Sequence, residues 1–458
     1  NKVASDPYRM KFHLQPPLGW LNDPNGLCQI GSQYHIYFQY TPFNPNGGTG
    51  LWGHMVTEDF IHYEEHEPSI FPDSSWDANG AYSGSAYEEN GEYYFFYTGN
   101  VKYEGEEYNY ITDGREQNVI LTITKDGYNF SKKQLIMTNS DFPEDMSKHV
   151  RDPQIIKRGN HYYMILGARD LSDKGSVVLF KSNDLYHWKY ELRFTTQDVF
   201  GYMWECPNYV EIDGKQFLIV CPQGIKQNGL DYANAHQCGY FPLNYKFEDK
   251  TYQLGEFCQL DRGFDFYAPQ VFKDHKGRNI LIGWMGMPES DYNNDKTVKN
   301  GWQHALSLPR ELYVTEEGKL AQKPLEELKK LRTNEKKMEF NNELSVSTSI
   351  WFEIHVDFEV SRDFVLKLRE SAELRYEEGI LTLDITSCGS GRKHRGIAIK
   401  TIEDIRIFSD SSSLEIFVNR GEVVFTTRIY DSMEELSCEL KGEYLSGVLK
   451  YYDLTIEK

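Results

Sequence analysis

The sequence predicts an all-β protein, in which a five-bladed β-propeller is followed by a C-terminal β-sandwich. Three observations lead to this prediction. An apolar strand preceded by a glycine recurs five times, a short turn motif recurs between these strands, and a later part of the chain alternates between apolar and polar residues. The composition agrees, because 14% of the 458 residues are aromatic and aromatic side chains favour strands.

The glycine-led strands recur at similar intervals along the chain. Successive glycines are separated by 55 to 68 residues, a length that accommodates four strands and their loops. Self-similarity at this period is typical of propellers and solenoids, and one coil of a β-solenoid would need far fewer residues. Residues 1–323 are therefore predicted to form a propeller of five blades. The five glycines are Gly31, Gly91, Gly159, Gly214 and Gly277.

The turn motif has the form Ser/Thr-x-Asp-x-x-x-aromatic. It occurs at residues 57–63, 124–130 and 182–188. We expect a tight turn at each place, because the aspartate can accept local backbone hydrogen bonds. The aromatic residue is then expected to begin the next strand.

The end of the chain is predicted to form a second domain. Residues 324–332 have apolar residues three apart and predict a short helix, so residues 324–339 are assigned to a linker helix and a charge-rich connector. Residues 352–360 alternate strictly, which is typical of a half-buried strand. Residues 340–458 are therefore predicted to form the β-sandwich, with a structural role by default.

Composition excludes several classes of partner. A formal charge of −20 repels phosphate backbones, so nucleic acid is not an expected partner. No apolar run approaches the roughly 20 residues that a membrane span needs. The seven cysteines are odd in number and contain no C-x-x-C pair, which argues against a disulfide framework or a structural zinc site. Reduced thiols favour a cytoplasmic location, with secretion after removal of a signal peptide as the alternative.

Three acidic residues occupy nearly the same position in different repeats. Asp23, Asp152 and Glu205 precede their glycines by 8, 7 and 9 residues. Because the innermost strand of every blade lines one channel, we expect these residues to converge. Cleavage of a glycosidic bond usually needs two carboxyl groups, and the third could hold the sugar hydroxyls. The sequence thus predicts a glycosidase that acts on a small sugar substrate.

The segments around these acids resemble the motifs of glycoside hydrolase family 32, which contains invertases and fructan hydrolases. The resemblance is carried by residues 20–26 (WLNDPNG), by Arg-Asp-Pro at 151–153 and by Glu-Cys-Pro at 205–207. It covers nearly the whole chain, and the family has a five-bladed propeller followed by a β-sandwich. Further similar segments are 37–40, 52–54, 83–85, 265–268, 324–332 and 413–419.

The resemblance implies a role for each acid. Asp23 would be the nucleophile, Glu205 the general acid and then the base, and Asp152 a stabiliser of the transition state. The reaction would retain configuration and need neither metal nor cofactor. An aspartate that ionises early suits attack, and a glutamate whose pKa is raised by burial and acidic neighbours suits protonation. Cys206 would pack beside the acid and tune it.

The resemblance also implies a β-fructofuranosidase that acts on sucrose, sucrose 6-phosphate or short fructo-oligosaccharides. An inverting propeller glycosidase such as an arabinanase, or a non-catalytic sugar-binding propeller, are the alternatives. Arg115, Lys102 and Lys226 are candidates to bind a phosphate, although solvated surface charge is their ordinary interpretation. The oligomeric state stays open. The expected substrate-binding residues are Asn22, Gln39, Trp52, Ser83, Arg151, Tyr267 and Trp284.

Overall fold

The structure is a computed structural model that describes residues 2–434 and 436–457. It confirms the all-β prediction. Five sheets of four principal strands surround a central channel, and one curled ten-stranded sheet forms the sandwich-like second domain. Within the described residues, no helix has both the length and the apolar character that crossing a membrane requires.

Each blade starts with its innermost strand at the channel. Blade 1 comprises β1 (Gly19–Ile30), β2 (Gln33–Thr41), β3 (Leu51–Thr57) and β4 (Glu64–Ile70). Blade 2 comprises β5 (Ala81–Glu89), β6 (Glu92–Lys102), β7 (Arg115–Thr124) and β8 (Gln134–Met137), and a 3₁₀ helix (Asn139–Asp141) follows. Blade 3 comprises β9 (Met146–Arg158), β10 (His161–Asp170), β11 (Gly175–Ser182) and β12 (Lys189–Phe194).

The last two blades carry small additions. Blade 4 comprises β13 (Met203–Ile212), β14 (Lys215–Gln223), β15 (Gly239–Lys246) and β16 (Thr251–Leu254), and a short β17 (Cys258–Gln259) also pairs with β15. Blade 5 begins with β18 (Tyr267–Lys273) and β19 (Asn279–Trp284). Helix α1 (Asp295–Val298) and β20 (Trp302–Gln303) follow before β21 (Arg310–Val314) and β22 (Leu320–Pro324) complete the blade.

The second domain follows a 3₁₀ helix at Glu326–Leu331, where the sequence predicts a short helix. Its strands run in the order β28-β27-β26-β25-β32-β24-β29-β30-β31, and β23 also pairs with β32. The first five strands are β23 (Arg332–Ser347), β24 (Phe352–Val360), β25 (Phe364–Arg369), β26 (Ala372–Glu377) and β27 (Ile380–Asp384). The others are β28 (His394–Ala398), β29 (Asp404–Asp410), β30 (Ser413–Val418), β31 (Val423–Arg428) and β32 (Ser437–Leu454), with a 3₁₀ helix at Asn419–Gly421.

One element differs from the sequence prediction. The charge-rich segment expected to be a connector up to residue 339 is the first half of β23, which pairs with β32 over most of its length. Most of its side chains are exposed, so it lacks the apolar alternation by which strands are recognised. Backbone pairing with β32 holds it in place instead.

The repeated glycines form tight hairpins between the first two strands of four blades. At residues 90–91, Asn90 and Gly91 have φ values of 53° and 76° between the paired residues Glu89 and Glu92. Positive φ at both central positions is the mark of a type I′ turn, in which Asn-Gly is strongly preferred. A Cβ on Gly91 would meet no atom within 4 Å. Glycine is therefore required here by the backbone conformation, and not by a lack of space for a side chain.

The Ser/Thr-x-Asp motif forms the expected turn. The Thr57 hydroxyl accepts the Phe60 backbone N–H at 2.8 Å, and Asp59 Oδ1 accepts the N–H groups of Ile61 and His62 at 2.9 Å. The same contacts recur at residues 124–129 and 182–187. These turns lead into the outermost strand of the first three blades.

The ring of blades closes through a two-residue seam. Strand β20 pairs in parallel with β1, and Gly19 and Trp20 lie opposite Trp302 and Gln303. A segment from the end of the propeller is thereby joined to the first blade. The aromatic content serves packing between and within blades, as shown by the fully buried side chains of Trp52, Trp204, Tyr37 and Tyr97.

Buried charged groups join the propeller to the second domain. The Arg392 guanidinium donates to both Asp265 oxygens at 2.7 and 2.8 Å, and both side chains are 1% exposed. Arg310 of blade 5 donates to Glu415 of β30 at 2.7 Å. His13 lies between Asp410 and Glu415. Burial alone would lower its pKa, but these two carboxylates raise the pKa to about 9, so His13 is charged.

Replacing Arg392 by Ala is expected to destabilise the protein by about 3 to 5 kcal/mol, because Asp265 would stay buried without its partner. Urea unfolding at neutral pH measures this. The exposed Arg375–Glu373 pair, whose side chains are 47% and 25% exposed, is the matched control, and Arg375→Ala should cost under about 1 kcal/mol. Equal effects of the two substitutions would contradict the interpretation of the interface.

Candidate active site

All five innermost strands carry one extra residue at the same level of the channel. The register shifts fall between Leu21 and Pro24 in β1 and between Ala81 and Gly84 in β5. The equivalent shifts in β9, β13 and β18 fall at residues 151–154, 205–208 and 267–270. Four of these segments contain a proline, which cannot donate to the strand ladder. Such bulges re-aim side chains, here toward the channel.

The bulges arrange the side chains in two rings. We name the ring nearer the opening the mouth ring and the one beneath it the deep ring. Every member of the mouth ring lines one cavity of about 470 Å³. The mouth ring consists of Asn22, Tyr82, Arg151, Glu205 and Tyr267. The deep ring consists of Asp23, Ser83, Asp152, Cys206 and Ala268.

The structure therefore brings the three predicted carboxylates together, with one refinement. Asp23, Asp152 and Cys206 each directly precede a proline and are equivalent in the sequence repeat, whereas Glu205 lies one residue earlier, in the mouth ring. Contacts run along the deep ring, since the Cys206 backbone N–H donates to Asp152 Oδ2 at 2.9 Å and its Sγ lies 3.7 Å from Asp23 Oδ2. Cys206 thus contacts both aspartates, and not the glutamate beside it.

Asp23 is held by its neighbours on both oxygens. Ser83 Oγ donates to Oδ2 at 2.6 Å, and Asn22 Nδ2 donates to Oδ1 at 3.1 Å. Burial raises the pKa of Asp23 to about 6, opposed by the Ser83 hydrogen bond and reinforced by the charge of Glu205. The carboxyl group is therefore oriented and mostly ionised at neutral pH.

Glu205 receives the largest number of hydrogen bonds among the three acids. Arg151 donates to Oε2 through Nη2 at 2.8 Å and Nε at 3.1 Å. Gln223 and Tyr267 each donate to Oε1 at 2.7 Å. Burial alone would raise the pKa of Glu205, but the charge of Arg151 and the hydrogen bonds from Tyr267 and Arg151 outweigh it, so the pKa is lowered.

Asp152 sits in a left-handed backbone conformation. Its φ is 67°, and Cys206 and Ala268 of the deep ring share this conformation, with φ values of 49°. Its N–H donates to Thr98 Oγ1 at 3.0 Å. Burial raises the pKa of Asp152 to about 7; Arg151 opposes this rise, and the charges of Glu205 and Asp23 add to it.

The expected order of ionisation is therefore wrong for the free site. The sequence argument predicts an aspartate that ionises early and a glutamate with a raised pKa. The structure has the opposite order, because Arg151 and Tyr267 both donate to Glu205, and no cation among the described residues forms an ion pair with either aspartate. Because the charges of Glu205 and Asp23 both raise the pKa of Asp152, a proton on any one of the three acids changes the pKa values of the others.

The other residues predicted to bind substrate lie at different positions around the cavity. Gln39, Ser83 and Trp284 line the cavity beside Asn22. Tyr267 also lines it, although its hydroxyl is used by Glu205. Gln39 Nε2 donates to Asn25 Oδ1 at 2.8 Å and to the Ala81 carbonyl at 2.9 Å. These two bonds use the amide nitrogen, so the amide oxygen is the atom that can accept a hydrogen bond from a sugar.

Trp52 differs from the prediction. It is fully buried, is absent from the cavity lining, and donates its indole N–H to the Tyr82 carbonyl at 3.0 Å. It lies behind the wall of the cavity and packs against Phe95 and Tyr97. A tryptophan that ends a strand can face a sugar or a neighbouring blade, and sequence alone does not separate these cases.

Sequence reasoning did not name several residues of the cavity, among them Tyr82 and Asn46, and it undervalued Arg115. Tyr82 lines the cavity from the mouth ring, at the position equivalent to Arg151, so the repeat phase could have identified it. Asn46 reaches it from the loop between β2 and β3, which carries no repeat signal. Arg115 lines it as well, although the sequence favours a surface charge. Lys226 is exposed and does not line the cavity.

Comparison with known proteins agrees with this geometry. Residues 13–324 match the family model "Glycosyl hydrolases family 32 N-terminal domain", and residues 325–450 match "Glycosyl hydrolases family 32 C terminal". The sucrose-6-phosphate hydrolase of Bacillus subtilis (strain 168) is 38% identical over 444 residues, which cover 93% of this chain and 90% of that protein.

Solved structures give the same result. The sucrose-6-phosphate hydrolase from Lactobacillus gasseri superposes with a TM-score of 0.89 at 30% identity, covering 99% of this chain and 94% of that one. A Bombyx mori family 32 β-fructofuranosidase superposes with a TM-score of 0.83 at 27% identity, covering 99% and 96%.

The structure is a five-bladed propeller with a cluster of buried carboxyl groups at the mouth of its channel, and the chain is similar to sugar-cleaving enzymes. Together these findings define a glycoside hydrolase. The family models together match nearly the whole chain, and their order along it is that of the two domains. The chain belongs to glycoside hydrolase family 32.

Proposed function

We propose that this enzyme is a retaining β-fructofuranosidase that hydrolyses the terminal β-D-fructofuranosyl bond of sucrose, sucrose 6-phosphate or a short fructo-oligosaccharide. The observation that carries the proposal is the meeting of Asp23, Asp152 and Glu205 at one cavity, each with a different set of hydrogen-bond partners. The names of the similar proteins support the substrate class.

Asp23 acts as the nucleophile in this proposal. Ser83 and Asn22 fix its orientation, and a fixed carboxylate is ready to attack without rearrangement. Its oxygen forms a bond to the anomeric carbon of fructose while the bond to the leaving oxygen breaks. A covalent fructosyl-enzyme results, as in other retaining glycosidases.

Glu205 acts first as acid and then as base. It donates a proton to the leaving oxygen in the first step, and in the second it takes a proton from the water that attacks the fructosyl-enzyme. The free site disfavours a proton on Glu205. Sugar hydroxyls that donate to Asp152 would stabilise its ionised form, and the shared proton would then pass to Glu205.

The pH dependence follows from these acids. Asp23 must be ionised, so kcat/KM should rise as pH increases through about 6. The pair of Asp152 and Glu205 must keep one proton, so kcat/KM should fall as pH increases through about 7. We expect a bell-shaped profile with its maximum between these values, measured with sucrose or its 6-phosphate.

Tyr267→Phe tests the alkaline limb of that profile. The variant removes a hydrogen bond that favours ionised Glu205, so its alkaline limb should move to higher pH while the acid limb stays. A wild-type profile that rises without a maximum through neutral pH would contradict the assignment of the shared proton.

Product stereochemistry tests the proposed function itself. Proton NMR of the first product should show β-fructofuranose before mutarotation, and rates on sucrose, sucrose 6-phosphate, 1-kestose and inulin rank the substrates. Initial release of the α-anomer would favour an inverting enzyme. Sugar binding without turnover would favour a binding protein.

We further infer a cytoplasmic location, because all seven cysteines are free thiols and five of them are buried, which suits a reducing compartment. Fractionation of the source cells with an activity assay measures this. Activity confined to the medium would contradict it.

A further inference from the structure

Arg115 lines the catalytic cavity and has a second cation, Lys102, opposite it in the sheet; the proposed chemistry uses neither. Lys102 ends β6 and Arg115 begins β7, and the two residues lie directly opposite each other in the antiparallel pair. Like charges at opposed positions destabilise a sheet. Among the residues that the structure describes, no carboxylate pairs with either cation, whereas Arg151 is paired with Glu205. Glu205 is the carboxylate whose charge acts on Arg115, and it is already paired with Arg151.

Arg115 is unusual because it is buried and incompletely bonded. It is 8% exposed and lines the cavity. Its Nη1 donates to His149 Nδ1 at 3.0 Å, and its buried Nε has no partner. A buried donor without a partner is costly, so a ligand that supplied an acceptor here would recover that cost.

His149 explains how two guanidinium groups stay close together. Arg151 Nη1 also donates to its Nδ1, at 2.8 Å. Burial first, and then the charges of Arg151 and Arg115, lower the pKa of His149 to about 2. The ring is therefore neutral and accepts from both arginines without cancelling their charge. Lys102 adds a third cation nearby: burial first, and then the charges of Arg115 and Arg151, lower its pKa.

We propose that Arg115 and Lys102 form a phosphate subsite that binds the phosphoryl group of a phosphorylated sugar substrate. This inference rests on the proposed function. Its position follows from the contacts: Arg115 is bridged by His149 to Arg151, which contacts Glu205. The subsite therefore lies on the leaving-group side of the scissile bond, where the glucosyl 6-phosphate of sucrose 6-phosphate would be. A guanidinium fork suits phosphate oxygens, and an ammonium adds a mobile charge.

The test is the ratio of kcat/KM for sucrose 6-phosphate to kcat/KM for sucrose. Wild-type enzyme should prefer the phosphorylated sugar, and Arg115→Gln should lower the ratio by about 10- to 100-fold, the range for a lost hydrogen bond to a charged group. Lys102→Gln, at an exposed position, should lower the ratio by a smaller factor without risk to folding.

Inorganic phosphate should inhibit the wild-type enzyme competitively, and it should inhibit Arg115→Gln less strongly. Lys226→Gln, at an exposed lysine that is not opposite Arg115 in the sheet, is the matched control and should keep the wild-type ratio.

Failure of this inference is distinguishable from failure of the proposed function. If wild-type enzyme hydrolyses neither sugar, the proposed function is wrong. If it hydrolyses both and the ratio is unchanged in Arg115→Gln and Lys102→Gln, the phosphate subsite is wrong while the function stands. Higher ionic strength should raise KM for the phosphorylated sugar only, because screening weakens charge–charge contacts; an equal rise for both sugars would also overturn the subsite. Thermal melting of each variant checks that the fold is kept.

Discussion

Asp23→Asn is expected to lower kcat by about 10⁴-fold or more, because loss of a nucleophile removes the covalent step altogether. The amide has nearly the same shape, and the substitution removes a charge from a buried site where burial already raises the pKa. We therefore expect a melting temperature equal to or above that of the wild type. Initial rates on sucrose and sucrose 6-phosphate, with thermal melting on the same preparation, measure both effects.

The control for this variant is Asp198→Asn, at an exposed position outside the cavity. It should keep wild-type rates. Asp152→Asn is the informative comparison, because Asp152 is proposed to position the sugar and not to attack it. If Asp152→Asn abolished the covalent intermediate while Asp23→Asn kept it, the nucleophile would be misassigned.

Glu205→Gln is expected to lower kcat on sucrose by about 10² to 10⁴-fold, the usual contribution of a general acid or base. The loss should depend on the leaving group. Fluoride needs no proton to depart, so β-fructosyl fluoride should still fructosylate the variant. Because the base of the second step is missing, the fructosyl-enzyme should accumulate, and mass spectrometry should find the adduct on the peptide that contains Asp23.

Two checks accompany this variant. Glutamine leaves Arg151 without its carboxylate partner, so some stability should be lost, and circular dichroism must establish that the variant is folded. Glu316→Gln, at an exposed position, should be indistinguishable from wild type. A variant that lost equal activity on sucrose and on the fluoride, with no adduct, would contradict the acid–base role.

Much of the architecture was predictable because it depends on local turns, which short sequence patterns encode. Gly91 and the Thr57–Asp59 turn act through backbone conformation and hydrogen bonds within a few residues. The glycine-led strands recur five times along the chain and so give the number of blades. The strand β23 escaped prediction because it is held by backbone pairing to β32 and exposes most of its side chains.

The sequence predicts which residues form the site better than it predicts the order in which they ionise. The repeat phase located Asp23, Asp152 and Glu205 near one another, but Glu205 lies one residue before the equivalent of the two aspartates and so belongs to the mouth ring. The order of ionisation depends on which acid Arg151 and Tyr267 contact, and those residues come from different blades. No local pattern encodes such a contact. The burial of Arg115 is of the same kind, since it depends on the packing of the cavity wall.

The bulges on the five innermost strands have a consequence for how such an enzyme can diversify. The reacting groups are carried by the sheets themselves, so their mutual spacing is set by strand geometry and not by the connections between strands. Loops such as residues 42–50, which reach the rim, can lengthen or change composition without displacing the reacting atoms. Changes in the rim loops can therefore alter which leaving group the enzyme accepts, while the residues that break the bond keep their positions.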